Sequence, residues 1–367
     1  MLYRKVYLQD NYTLADAGTR TVDVNITDPI TALWIKLQAT NGGTANKANT
    51  LAQCLSKVEL IDGADVLYSL DGMEAYAMAC HNLGHTPKCV FDESAGDPQV
   101  LMFPMMFGLF LGDKARSFDP TRFSNPQLRF TWNLAAVNAV GANGFLTATL
   151  QLSIIADVME GAPKPASFLM HKEFYTWTSA AAGWEYIDLP TDYPYRGMVL
   201  RCVKADTDWH WIGDQIRINC DGGKFIAMDL RGWDLEHILQ SQGPRFQYNH
   251  VLRITSNDDK QFVLRCAEAL SLQPASVVDL VTNYNVAGHG EGGVGVQLAG
   301  GAAAGNDKFL ADVQGFNPYD CVYVPFGLQD TPSDWFPAST FSGIKLEIRG
   351  GVAAASDYLV LTQDRRY

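Results

Sequence analysis

Apolar and polar residues alternate over short stretches of this chain and rarely recur at helical spacing. Ala32–Gln38 sets Leu33, Ile35 and Leu37 on one face, the period-two pattern of a half-buried strand. Lys57–Ile61 alternates likewise, Asp62-Gly63 supplies a hairpin turn, and Val66–Leu70 is the return strand. Further strands are expected at Gln127–Asn133, Thr147–Ile155, Glu173–Trp177, Met198–Val203, Gln215–Asn219, Lys224–Leu230, Gln261–Cys266, Cys321–Pro325, Ile344–Ile348 and Tyr358–Thr362. Two short helices stand out, near Met73–Leu83 and Trp233–Gln242. Many short strands with Gly- and Pro-rich turns imply an all-β architecture of sandwiches or barrels.

The pattern occurs twice. Val58-Glu59-Leu60-Ile61-Asp62-Gly63 is matched by Ile216-Arg217-Ile218-Asn219-Cys220-Asp221-Gly222, with Asp221 lying 159 residues after Asp62. Leu70-Asp71-Gly72-Met73-Glu74 is matched by Leu230-Arg231-Gly232-Trp233-Asp234 at an offset of 160. Both blocks open a helix, and an acid in the first turn suits the positive end of the helix dipole. Asp71 and Glu74 also have capping-box spacing. Phe107-Gly108-Leu109, read as a strand, is matched by Phe326-Gly327-Leu328. Phe118, Phe123, Ser124, Leu128 and Phe130 then match Phe336, Phe341, Ser342, Leu346 and Ile348, each at an offset of 218. Two blocks repeated in one order imply two related units.

The second offset exceeds the first by 58 residues, so the second unit holds that much extra between its helix and its Phe-Gly-Leu block. An elaborated surface loop is expected at about 243–316, with Gly288, Gly290, Gly292, Gly293, Gly295, Gly300, Gly301 and Gly305 exposed on it. Pro163 and Pro165 stiffen a linker at 161–167. The expected domains are therefore 1–160, with an N-terminal arm, and 168–367.

The strands ending in Asp-Gly, the Leu-x-Gly-apolar-acid helix starts and the Phe-Gly-Leu to Phe-Ser blocks resemble the double jelly-roll major capsid proteins of the adenovirus-hexon type. Those proteins occur in tailless icosahedral phages and viruses with an internal membrane. The likeness runs over about residues 30–363 and implies two tandem eight-stranded jelly rolls, each with a short helix. It also implies a pseudo-hexagonal homotrimer that tiles a virion shell beside neighbouring trimers, penton and minor capsid proteins. Strands would stand upright to the shell, with the 58-residue excess forming an outer tower. Termini would face inward, where Arg4, Lys5, Arg365 and Arg366 could meet the lipids of an inner membrane.

Charge and cysteines narrow the alternatives. The 28 basic and 40 acidic residues leave a net charge of −12, which disfavours sequence-independent nucleic-acid binding; no sequence-specific nucleic-acid partner is expected. Seven dispersed cysteines without CxxC spacing suggest reduced thiols and assembly in a host cytoplasm. The run from Met1 to Asn11 has no apolar core of a secretory signal. Phe130–Ala156 is free of charge, but Asn133, Asn138, Asn143, Gln151, Gly141 and Gly144 interrupt it, so it reads as two strands and a turn.

No P-loop, HExxH or GxSxG pattern occurs. Gly288–Gly293 has GxGxxG spacing, but the following Val294–Gly301 is a poor helix start, so no cofactor is expected. Cys80, His81, His85 and Cys89 are zinc-ligand types, yet Gly84 and Pro87 break the helix between them. Asp206, Asp208 and His210 with Trp209 and Trp211 offer carboxylates, an imidazole and stacking surfaces, in a place where a turn is due. No catalytic residue and no metal site is assigned. The alternative reading is a carbohydrate-active or carbohydrate-binding protein of two β-sandwich domains, using Asp206 or Asp208.

Overall fold

The computed structural model describes residues 2–43, 46, 50–204, 207–254, 258–264, 267–274, 283–288, 293–299, 307–352 and 356–367. The first half runs β1 (Leu2–Thr13), β2 (Ala17–Asp23), β3 (Ile30–Thr40), α1 (Leu51–Cys54), β4 (Leu55–Asp62), β5 (Asp65–Leu70), α2 (Gly72–Leu83), β6 (Phe91–Asp92), β7 (Pro98–Met106), β8 (Pro126–Asn133) and β9 (Gln151–Glu160). The second runs β10 (Ser167–Thr178), β11 (Trp184–Leu189), β12 (Tyr195–Val203), α3 (Trp209–Ile212), β13 (Gly213–Cys220), β14 (Phe225–Arg231) and α4 (Gly232–Gln242). Six strands follow: β15 (Phe246–Ile254), β16 (Asp258–Gln261), β17 (Ala267–Pro274), β18 (Asn283–Gly288), β19 (Gly293–Ala299) and β20 (Asp307–Gly315). The half closes with β21 (Cys321–Pro325), β22 (Ile344–Gly350) and β23 (Ser356–Arg366).

One strand order is built twice. In the first half the sheets are β1-β9-β3-β7 and β2-β8-β4-β5; in the second they are β10-β23-β12-β21 and β11-β22-β13-β14. Counting the eight framework strands of each half from its start, both halves read 1-8-3-6 and 2-7-4-5. Apart from the hairpin of strands 4 and 5, sequence-adjacent strands thus fall in opposite sheets, and the inward residues of both sheets meet in one core. Leu33, Ile35, Leu60, Phe103, Leu128, Phe130 and Ile154 are fully buried in the first core, and Met198, Leu200, Ile216, Ile218, Leu346 and Leu361 in the second.

Even the irregularities repeat. Register shifts fall between Leu60 and Ile61 on β4 and between Ile218 and Asn219 on β13. They recur between Tyr7 and Gln9 on β1 and between Glu173 and Tyr175 on β10. The aromatic corner after each Phe-Gly-Leu block is the same stack: Phe118 lies 5.1 Å from Phe123 at 18°, and Phe336 lies 5.4 Å from Phe341 at 18°.

The helix starts form as the sequence implies. Asp71 Oδ1 accepts from the Glu74 N–H at 2.7 Å and Glu74 Oε2 from the Asp71 N–H at 3.1 Å, a complete capping box. Gly84 at φ 72° closes α2.

Four expectations need correction. Thr147–Leu150 is irregular, and the strand begins at Gln151, because Asp16 takes the Thr147 hydroxyl and the Ala148 N–H (2.7 Å) away from any ladder. Gln261–Cys266 is not one strand: β16 ends at Gln261, Phe262–Leu264 turn inward to the first core, and 265–266 lie outside the described residues. The Phe-Gly-Leu blocks follow β7 and β21 rather than form strands. A Cβ on Gly108 would lie 2.4 Å from the Arg116 carbonyl, and one on Gly327 2.0 Å from the Asp334 carbonyl. The segment 243–316 is mostly strand, and its base is core. β15 pairs with β6 and β20, and Phe246, Leu252, Phe309, Ala311 and Val313 are buried in the first half's core.

Candidate assembly surfaces and termini

The two halves join along a seam. β5 and β10 run parallel with Ser69 opposite Lys172, which merges two four-stranded sheets into one of eight strands. Side chains tie the seam from both sides. Lys57 Nζ lies 2.7 Å from Glu173 Oε2. The Tyr68 ring meets His171 edge-on at 5.8 Å. Arg201, buried on β12, donates to Asp71 at the start of α2 and lies 3.7 Å from Glu74. Burial alone would lower the Arg201 guanidinium, but the Asp71 carboxylate beside it outweighs this and holds its pKa up. Burial, with Asp71 adding, pushes Glu74 well above the carboxylate range. The sequence reading missed Arg201; its one signal is a cation in the middle of the apolar run Met198–Val203.

Two of the strands at the open ends of the sheets are the repeat mates of the seam strands. β1 is the edge of its sheet and β14 the edge of its own. Both expose apolar side chains, among them Tyr3 and Tyr7 on β1 and Phe225 and Ile226 on β14. Beside β14, Trp233 and Ile238 of α4 are 47% and 43% exposed.

The termini are less free than their charge suggests. Arg4 Nε lies 3.4 Å from Glu160, and Lys5 pairs with Asp157. Arg365 grips Asp65 at 3.0 and 2.5 Å, while Arg366 is exposed.

The other candidates do not assemble. Among the described residues no group of three or more His, Cys, Asp or Glu side chains could hold a metal ion. Burial pushes the Cys80 thiol up, and the Cys89 thiol up to about 11. His81 faces the second half: its Nε2 lies 3.3 Å from the Cys321 carbonyl and its ring stacks on Tyr323, and burial draws it down to about 4. His85 Nδ1 lies 3.1 Å from the neighbouring Thr86 carbonyl. Asp208 precedes α3, where a turn was expected, and Trp209 of that helix is buried. His210 Nδ1 lies 2.8 Å from Glu236 Oε2, and Asp206 lies outside the described residues. Gly288, Gly293 and Gly295 belong to the β18–β19 hairpin; Gly290, Gly292, Gly300, Gly301 and Gly305 lie outside the described residues.

No family model and no curated protein matches the chain. Solved structures do. The STIV MCP matches at TM-score 0.62 with 9% identity, over 100% of this chain and 97% of its own. The major capsid protein P2 of bacteriophage PM2 matches at 0.56 with 11% identity, over 100% and 98%. PBCV-1 VP54 matches at 0.57 with 12% identity, over 99% and 93%. The chain has the double jelly-roll fold. In this double jelly roll the seam joins an edge of the first roll to an edge of the second, and β1 and β14 are among the edges left open.

Proposed function

We propose that this chain is the major capsid protein of an icosahedral virion, with three copies joined into a pseudo-hexagonal tile. The supporting observation is the edge-to-edge fusion of two alike eight-stranded units through β5 and β10. Three such chains supply six similar units, as a closed cyclic ring of six positions requires. Residues 1–160 and 168–367 are the two rolls in this reading, with 161–167 the linker. The role is structural and needs no catalytic side chain. The partners are further trimers, penton and minor capsid proteins, and assembly takes place in the host cytoplasm.

The light-scattering mass of the purified chain tests this reading. The expected mass is three times the 40.4 kDa chain, with a hexagonal outline in negative stain. A monodisperse monomer across dilution would overturn it.

An inner membrane is the second part of the reading. The ion pairs of Arg4, Lys5 and Arg365 reduce their pull on anionic headgroups, so Arg366 is the cation best placed for lipid. Flotation with anionic liposomes should drop when all four are changed to Ala; unchanged flotation removes the lipid contact and leaves the tile intact.

A further inference from the structure

The internal seam has an unfilled counterpart. β14 is the repeat mate of β5, since Leu230 follows Leu70 by 160 residues and both strands lead into a helix through Leu-x-Gly. β1 is the mate of β10. Each opens its unit, each pairs antiparallel with the last strand of that unit, and each carries a bulge near its middle. Within the chain β5 and β10 meet; among the described residues β14 and β1 each lack a second strand neighbour.

The coverage of the mated helices differs in the same sense. On α2, Met73 Sδ lies 3.4 Å from Arg201 of the second unit, and His81 is enclosed by Tyr323 and Phe246 of that unit. On α4 the mates at an offset of 160 are Trp233, which is half exposed, and Ser241, which is exposed. A surface that one unit covers inside the chain is left open on the repeat of that surface. An edge strand with apolar side chains and free backbone groups is a template for another strand.

We infer that β14 and α4 of one copy dock on β1 of the next copy, in parallel, repeating the β5–β10 seam between chains. The partner is a second copy of this chain. The contact is heterologous, because the two surfaces differ, so it propagates head to tail until a ring closes. The number of copies in the ring rests on the trimer reading above; the contact itself rests on the internal repeat. The bulges align Lys172 with Val6, and the Leu-x-Gly blocks align Ser69 with Asp229. Asp229 of one copy therefore falls opposite Val6 of the next.

The test is oxidation of a variant carrying Val6→Cys and Asp229→Cys, read on a non-reducing gel beside each single variant and beside the mass from light scattering. The expected result is cross-linked dimer and trimer from the double variant and none from either single variant. A trimer by mass without cross-links overturns the seam and spares the trimer. Cross-linking of a single variant to itself means a two-fold contact and also overturns the seam. A monomer by mass overturns both. Should the double variant misfold, Ile226→Glu, on an exposed position, should keep a native circular dichroism spectrum while the mass falls to that of the monomer. An unchanged trimer would count against the seam.

Discussion

The Asp221 carboxylate accepts a hydrogen bond from the Ser342 N–H at 2.7 Å, bringing together two sequence blocks 121 residues apart. The first unit makes the same bond: Asp62 accepts from the Ser124 N–H at 3.1 Å and from Asn125 at 2.7 Å. In each unit the acid at the end of one strand caps the turn that opens the next strand in the same sheet. Asp-Gly and Phe-Ser therefore recur together because each supplies half of one contact.

Removing that carboxylate should cost each unit similarly. Asp221→Ala strands the Ser342 and Gly343 N–H groups, and Asp62→Ala strands those of Ser124 and Asn125. Both turns are solvent-exposed, so water takes up part of the loss, and about 1 kcal/mol per variant is expected. Urea unfolding of each variant checks this. A neutral result in both would mean that the repeated bond contributes nothing to stability.

The glycine of the Leu-x-Gly block answers to close approach. A Cβ on Gly232 would lie 1.7 Å from the Gly213 carbonyl, and one on Gly72 2.4 Å from the Ala52 carbonyl. In each unit the short helix before the strand meets the start of the longer helix there. Gly232→Ala and Gly72→Ala should each cost about 2–3 kcal/mol as overpacking, while Gly63→Ala, in open space but at φ 61°, should cost about 1 kcal/mol. Thermal melts of the three variants would show the ranking, and an equal loss at all three would remove the close-approach explanation.

The sequence shows the framework best where one face is buried. Leu33, Ile35 and Leu37 alternate because β3 has core on one side only. β1 was not legible, because it is exposed along most of its length and carries no alternation to read. β7 offers no clean alternation, since burial of most of its side chains erases the polar half of the pattern. The base of 243–316 escaped because its partner Phe91, which packs on Tyr248 and pairs opposite His250, lies in the other unit. The assembly surface was hidden for a related reason: an edge is defined by a strand order that only the folded sheet displays.

Arg201 holds the second unit to the first. Its guanidinium serves Asp71 and faces Glu74, both at the start of α2. Arg201→Ala leaves these carboxylates without their cation, and about 3–5 kcal/mol is the expected loss. At pH 9, above the value of about 8 to which burial raises Glu74, the same change should cost less in the Glu74→Gln background, because one buried charge is then already gone. A double-mutant cycle by urea unfolding measures the coupling, and additive losses would show that Arg201 and Glu74 do not interact.

His171, which is buried, and His81, which is half-buried, should make the seam acid-sensitive. Burial, with Arg196 adding, holds His171 down to about 3, and burial holds His81 down to about 4. Both lie where the units meet, His171 against Tyr68 and His81 against Cys321 and Tyr323. A folded-state pKa below the unfolded value means that the unfolded chain binds more protons. The stabilisation is thus present above about pH 6.5 and is lost as the pH falls toward 4 and 3. At pH 5 each histidine should withdraw about 2 kcal/mol relative to pH 7. Urea midpoints at pH 7 and pH 5 measure the total. Replacing His171 with Asn lowers overall stability but should shrink the difference between the two pH values. A difference that persists in full would assign the acid sensitivity to other groups. Asp357 works in the opposite direction: burial raises it to about 7, so its contribution is complete below about pH 4 and is lost as the pH rises through 7. Asp357→Asn should accordingly flatten the profile on the alkaline side and leave the acid side to the histidines.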